Sequence, residues 1–294
     1  MRQAKAITIT YLTKATYSSL NGADKEADNI VSIKKIQMND GREYPYCSSQ
    51  AVRRALREQL ASMGWELSET TVAKQKKGAA STLCEPSKYI DDDLFGFMNA
   101  DSAKTVKRTS PVRVSPLIAL EAYRGGMDFG TNYMSVKSGG NPNIFETEIH
   151  SGFYVGTVMI ELDRVGEKSQ GDEYELSLPD GEKKKRVNSL LDAIQNLWTM
   201  GRQSRFLSDV SPKFVAAALL KVKNPIFLES VTVDHNGNVN TGLINNTLSD
   251  FSGHVVDHAL GERKGFFPSD NEGILPLVQC FEKMHLWVDG YYKE

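Results

Sequence analysis

The sequence predicts an α+β fold of βαββαβ order, and three observations carry that prediction. Ile7, Ile9 and Tyr11 alternate with Thr8 and Thr10, the period of a strand with one buried face. Two other segments repeat their apolar residues at helical spacing. The run SGFYVGTVMIELDRVG at 151–166 is apolar on both faces through its middle, as a central strand requires.

Taken in order, strand 5–12 opens the chain and SSLNGADKEADN (18–29) follows as loop. IVSIKKIQM (30–38) is extended, with Lys34 and Lys35 in an otherwise apolar run. The first helix is predicted from about Gln50 to Met63, with Ser49 as N-cap, Gly64 as stop, and Val52, Leu56, Leu60 and Met63 on its stripe. Residues 66–110 read as irregular and partly helical, and Asp91-Asp92-Asp93 within them as a solvated or helix-capping run. PVRVSPLIALEAY (111–123) is strand-like, although Pro116 confines it to an edge or a bulge. The Gly, Asn and Ser content of 124–149 indicates a long excursion before the central strand.

Lys183-Lys184-Lys185-Arg186 reads as a solvated loop, placed where a helix N-terminus would prefer carboxylates. The second helix is predicted from Asn188 to Met200, with Leu190, Leu191, Ile194, Leu197 and Trp198 inward and Gly201 as its stop. PKFVAAALLKV (212–222) is a buried strand, and VTVDHNGNVN (231–240) a hairpin with a primed turn at Asn236-Gly237. The resulting order is the split βαβ or ferredoxin-like pattern, also that of the RRM.

Composition narrows the function class. The 294 residues are 40% hydrophobic and 24% charged, ordinary for a globular protein with a core. No apolar run approaches the roughly 20 residues a membrane span needs, and the N-terminus has no signal-peptide core. Cys47, Cys84 and Cys280 are too scattered for metal spacing and fit a cytoplasmic protein with ordinary thiols. His254 and His258 would form a metal pair only on a helix and with a third ligand, so neither metal nor cofactor is expected. There is no phosphate-binding glycine loop, no dinucleotide fingerprint and no nucleophile elbow. The net charge of −2 hides a gradient: residues 1–60 carry +4 and residues 241–294 carry −4. Such a chain can meet a polyanion at one end and a copy of itself head to tail.

The stretch 91–133 mixes cations with bulky apolar residues. Lys104, Lys107, Arg108 and Arg113 outnumber Asp101 in 101–114, and Met127 and Phe129 follow between Gly125-Gly126 and Gly130. Cations beside exposed wedges suit an arm lying along a nucleic-acid backbone, with the glycines lending freedom to its tip. Packing of those apolar residues on their own domain is the alternative. Arg53, Arg54 and Arg57 likewise read either as phosphate contacts near a helix N-terminus or as a solvated face.

Several segments resemble one family in the order it shows them. YCSSQAVRRALREQL (46–60) resembles the Ser-Ser-Gln-x-x-(Lys/Arg)-Arg-Ala element of the RAMP-type backbone subunits of CRISPR effector complexes. DLFGFM (93–98), KRTSPVRVSPLIAL (107–120), DFGTN (128–132), EIHSGFYVGTVMIELDRVG (148–166) and GRQSRFLSDVSPKFV (201–215) are similar to its DevR branch, the backbone subunit of type I-B Cascade. The resemblance reaches about residue 222, roughly three quarters of the chain.

It implies an RRM-like palm at 1–63 and 111–222 with a thumb insertion at 124–149. A finger or web insertion would occupy 64–110, and 223–294 would be a C-terminal extension packed on the palm. Implied partners are crRNA, the target DNA strand, further copies in a head-to-tail filament and other Cascade subunits, with no membrane. The implied RNA-binding residues are Lys34, Lys35, Ser48, Ser49, Gln50, Arg53, Arg54, Arg202 and Arg205, with Lys107, Arg108 and Arg113 lining the web. Met127, Phe129 and Met134 are the implied base-wedging residues. The branch is non-catalytic; an endoribonuclease on the same fold is the alternative, and it would rely on Asp24 in the first loop.

Overall fold

In a computed structural model of the chain, residues 3–23, 29–70, 81–99, 105–140, 143–169, 172, 174–198, 200–268 and 273–293 are described. β1 (Ala6–Ser18) begins where the sequence places it and runs on well past residue 12. β2 (Ile30–Val31) and β3 (Lys35–Gln37) divide the next extended piece, and β4 (Glu43–Cys47) returns antiparallel to β3. α1 (Ser49–Ser62) is capped one residue earlier than expected: the Ser48 hydroxyl accepts from the Ala51 N–H at 3.3 Å. Its buried stripe is Val52, Ala55, Leu56, Gln59 and Leu60, while Met63 is exposed beyond its end.

α2 (Ile90–Phe95) overturns the expectation of a solvated acidic run, for Asp91, Asp92 and Asp93 are all buried. β5 (Phe97–Asn99) and β6 (Val106–Arg108) pair with each other away from the main sheet. The strand expected over 111–123 breaks into β7 (Val112–Val114) and β8 (Leu117–Ala119), both antiparallel to the central strand. Pro116 has no N–H to give, and Ser115 compensates: its N–H donates to Thr157 O (2.9 Å) and its hydroxyl accepts from Thr157 N–H (2.8 Å).

The excursion over 124–149 is ordered as β9 (Gly126–Asn132), the turn helix α3 (Met134–Lys137) and the first part of β10 (Asn143–Glu161). β9 pairs antiparallel with β10 from Asn132↔Asn143 to Gly126↔Ile149. Met127, Asp128 and Phe129 therefore lie along a strand and not at a tip, correcting the expected placement. Gly130 serves close approach instead of mobility: a Cβ there would stand 2.5 Å from the Phe145 ring and 3.0 Å from Arg205 Nη2.

α4 (Asp180–Gln195) starts and ends earlier than expected. The basic run 183–186, expected as loop, is its second turn. Asp180 and Glu182 supply first-turn carboxylates, and Lys183 pairs with Glu167 (2.5 Å) and Asp180 (3.2 Å). Trp198 falls beyond the helix and is 48% exposed, whereas Leu197 is buried.

β11 (Phe214–Leu220) is buried throughout. The 233–239 turn has a positive φ at Gly237 and not at Asn236, so it is not primed; Asp234 Oδ1 holds it by accepting from the N–H groups of Asn236 and Asn238. The chain closes with α5 (Thr241–Asp250), β12 (Val255–Glu262), β13 (Leu275–Pro276) and α6 (Leu277–Tyr291). His258 is thus on a strand, where i, i+4 spacing does not form a helical metal pair. Among the described residues no helix is long and apolar enough to cross a membrane.

One sheet runs β13-β12-β11-β1-β10-β8-β4-β3, with β2, β7 and β9 also paired to β10. β1 is antiparallel to both neighbours, β10 and β11. On one face Ile7, Ile9 and Tyr11 pack with Leu56 of α1, Leu190 and Ile194 of α4, and Phe281 and Trp287 of α6. The other face is also covered: Leu12, Phe214 and Ala216 pack against Phe227, Val239, Ile244 and Phe267. Thr8 and Thr10, expected on an open face, are consequently fully buried, and Thr10 Oγ1 lies 2.8 Å from Thr157 Oγ1.

Candidate nucleic-acid interface

The β4–α1 junction gathers the first candidates around Asn21. The Asn21 side-chain oxygen accepts from Ser48 N–H at 2.9 Å, and its carbonyl from Lys34 N–H at 2.9 Å. The Lys34 carbonyl in turn accepts from Tyr46 N–H (2.9 Å). Lys34, Ser48, Ser49 and Gln50 thus stand together at the start of α1, whose unpaired N–H groups favour an anion. Gln50 is exposed, and the Ser49 hydroxyl donates to Gln50 Oε1 at 3.3 Å. Asn21 carried no signal in the sequence beyond its loop composition.

Along α1 the arginines differ. Arg54 is exposed and, among the described residues, makes the local pair with Glu58 (2.9 Å). Arg57 pairs with Asp91 at 3.3 Å and lies over the Phe95 ring. Arg53 is half-buried and has no carboxylate partner among the described residues; it donates to the Phe95 carbonyl at 3.3 Å, and its Nε is buried without a partner. Burial, and after it the charges of Arg57 and Arg113, lower its pKa. Arg113, half-exposed on β7, pairs with Glu161 at 2.8 Å. An under-neutralised guanidinium between two others is a ready site for a phosphate oxygen.

The hairpin root holds a second group. Lys35 Nζ is 2.8 Å from Glu148 Oε1 and sits over the Tyr123 ring. Burial alone would lower its pKa, but the hydrogen bond and charge of Glu148 outweigh that and raise it. Arg205 lies between the Phe145 and Phe206 rings, 4.6 and 5.0 Å from their centroids, and donates to Thr147 Oγ1 (3.2 Å) and to Asp128. On the outer side of the hairpin, Met127, Phe129 and Met134 are 45, 61 and 66% exposed, beside Tyr133 at 70%. Tyr17, Tyr123 and Asp128, which the sequence did not single out, frame this root.

Two candidates stand apart. Lys107 is exposed on β6 and Arg202 on the loop after α4. Arg108 leaves the set, because its side chain is fully buried, bonded to Asp93 and to the carbonyls of Asp93, Arg164 and Glu167. Asp24 lies outside the described residues. Among those residues no group of three His, Cys, Asp or Glu could hold a metal ion.

The family model described as CRISPR-associated negative auto-regulator DevR/Csa2 matches residues 9–238. The CRISPR-associated protein Cas7/Cst2/DevR of Myxococcus xanthus is 28% identical over 220 residues, 68% of this chain and 67% of that protein. The CRISPR-associated protein Cas7/Csa2 1 of Saccharolobus solfataricus is 29% identical over 219 residues, 67% of this chain and 65% of that protein. The chain therefore aligns with about two thirds of either relative's length. A chain of a solved CRISPR RNA-guided surveillance complex, pre-nicking, superposes with a TM-score of 0.66 at 14% identity, covering 96% of this chain and 100% of that one. A second CRISPR RNA-guided surveillance complex gives 0.62 at 16% identity, covering 96% and 99%. At those identities the structural likeness is one of fold, and the family assignment rests on the sequence match, which covers most of the chain. By that match the chain belongs to the DevR/Csa2 family of CRISPR-associated proteins.

Proposed function

We propose that this chain is a non-catalytic crRNA-binding backbone subunit of a type I-B CRISPR effector, polymerising head to tail along the guide and supporting target DNA recognition. The observation that carries the reading is the hairpin of β9 and β10, which exposes Met127, Phe129 and Met134 while cations flank its root: Lys35 pairs with Glu148, opposite Met127, and Arg205 lies against the other face with Asp128. Exposed apolar side chains on an arm rooted among cations suit a strand whose bases are parted while its phosphates are held. The neighbour order β11-β1-β10-β8, with α1 and α4 on one face, supports an RRM-like palm at 1–63 and 111–222, the hairpin being its thumb. Residues 64–110 form the finger or web and 223–294 the extension that packs on the palm. Lys34, Ser48, Ser49, Gln50, Arg53 and Arg54 hold backbone phosphates in this reading, with Arg113, Arg202, Arg205 and Lys107 along the path. Sequence reading is left to base pairing between guide and target.

The test is purification from cells with sequencing of any bound RNA, followed by binding of labelled single-stranded RNA across a salt series. Uniform short guides are expected, and Arg53→Gln with Arg54→Gln should flatten the log affinity–log salt slope by roughly 1 per lost phosphate contact. A slope equal to wild type would take these arginines out of the interface. Cleavage of the labelled RNA in magnesium would favour the endoribonuclease instead.

A further inference from the structure

Asp128 is held at the root of the β9–β10 hairpin by Arg205 and Tyr17. It lies on β9 opposite Thr147 of β10, so both residues reach the palm from the hairpin at one level. One Asp128 carboxylate oxygen accepts from Arg205 Nη2, and the other from the Tyr17 hydroxyl at 3.1 Å. Arg205 is positioned by its neighbours: Thr147 takes its Nη1, the Phe145 and Phe206 rings flank it, and Tyr17 packs on Phe206 at 5.6 Å. The absence of a side chain at Gly130 is what lets Arg205 and Phe145 come this close. The Arg205 guanidinium that binds this carboxylate would bind a non-bridging oxygen of a phosphodiester equally well, while the Tyr17 hydroxyl steadies Asp128 in its place.

We infer that Asp128 is an internal occupant of this anion cradle, holding the hairpin to the palm in the free chain until single-stranded RNA displaces it from Arg205. The second carboxylate of the hairpin behaves differently. Glu148 is buried, takes the Ile33 N–H at 2.9 Å as well as Lys35, and its side chain is 10% exposed. Asp128 and Arg205 are 25 and 28% exposed and open to exchange. The hairpin is therefore fixed by one ion pair and latched by another. A partly exposed ion pair contributes little, and the phosphate that replaces it brings counterion release along the whole strand. This inference rests on the RNA-binding reading above.

Binding of fluorescein-labelled oligouridylate to the full chain tests it, using wild type, Asp128→Asn, Arg205→Gln, the double variant and Tyr17→Phe, each with a thermal melt. Asp128→Asn is expected to tighten binding about 2- to 5-fold, since one such pair no longer has to be broken. Arg205→Gln should weaken binding, and the double variant should bind no better than Arg205→Gln alone. Tyr17→Phe, which keeps the carboxylate and removes its second donor, should tighten binding to a smaller degree and serves if Asp128→Asn does not fold. If Asp128→Asn and Tyr17→Phe bind as wild type while Arg205→Gln is weaker, the latch is overturned and RNA binding stands. If no variant, wild type included, binds at low salt, the RNA-binding reading falls and the latch with it.

Discussion

His150 lies in β10 with its ring buried and Nδ1 2.9 Å from the Tyr154 hydroxyl. Burial, against a smaller opposing effect of Glu121, lowers its pKa below the ordinary 6.5. The unfolded chain then takes up the proton more readily than the folded one. Its contribution to stability is complete above about pH 6.5 and is lost as pH falls through the folded value. His150→Gln should flatten the pH dependence of the urea midpoint below about pH 6.5; an unaltered slope would assign that dependence to other groups. Other single residues were legible only as types. Arg108 and Lys107 look alike in sequence, yet one is buried and the other exposed, because the partner of Arg108 is Asp93, 15 residues away. Arg186 reaches the same carboxylate from 93 residues away. Local composition carries no record of such pairings, so both guanidiniums were assigned to water or nucleic acid.

At the scale of elements, that shared carboxylate joins the segment after α1 to α4 and to the loop after β10. Asp93 of α2 accepts from Arg108, from Arg186 of α4 (2.9 Å) and from Gly166 N–H (3.0 and 3.1 Å), while Arg186 also donates to the carbonyls of Pro86 and Ser87. Removing one member of a buried ion network leaves its partners uncompensated. Asp93→Ala should cost about 3–5 kcal/mol, read as a lower denaturation midpoint; a loss below about 1 kcal/mol would mean the two arginines find other acceptors. The same network explains why α4 begins early. Its basic second turn is stabilised by Asp93, Glu167 and Glu182, partners that a helix signal based on local caps does not weigh. The strands and α1 were better predicted because alternation and capping are local properties. The β9–β10 hairpin was not, since Gly and Asn there report close approach and turns without reporting the pairing that orders them.

Over the whole molecule, period marked β1, α1, the core of β10, α4 and β11, but not α2, the β9 hairpin, α5, β12 or α6, nor the covering of the second sheet face. The cover over that face, Phe227, Val239, Ile244 and Phe267, comes from beyond residue 222, where the recognisable motifs end. The candidate site was half legible: Ser48 to Arg54 are gathered at the start of α1, but the counter-charges Asp128 and Glu148 that occupy Arg205 and Lys35 had no motif. One further property follows from β10. It pairs with β9 up to Ile149 and with β1 from His150 onward, without a loop between. The projecting arm is accordingly a cantilever whose beam is embedded in the central sheet, about 60 Å of continuous strand at ~3.3 Å per residue. Such a beam works as a ruler. Inserting two residues in each strand of the hairpin should extend its reach by about 7 Å and keep every side chain on its face, whereas a single residue in each reverses the faces. The nuclease-protection period on bound RNA should lengthen for the first and be lost for the second; a period unaltered in both would place the measure of spacing elsewhere in the subunit.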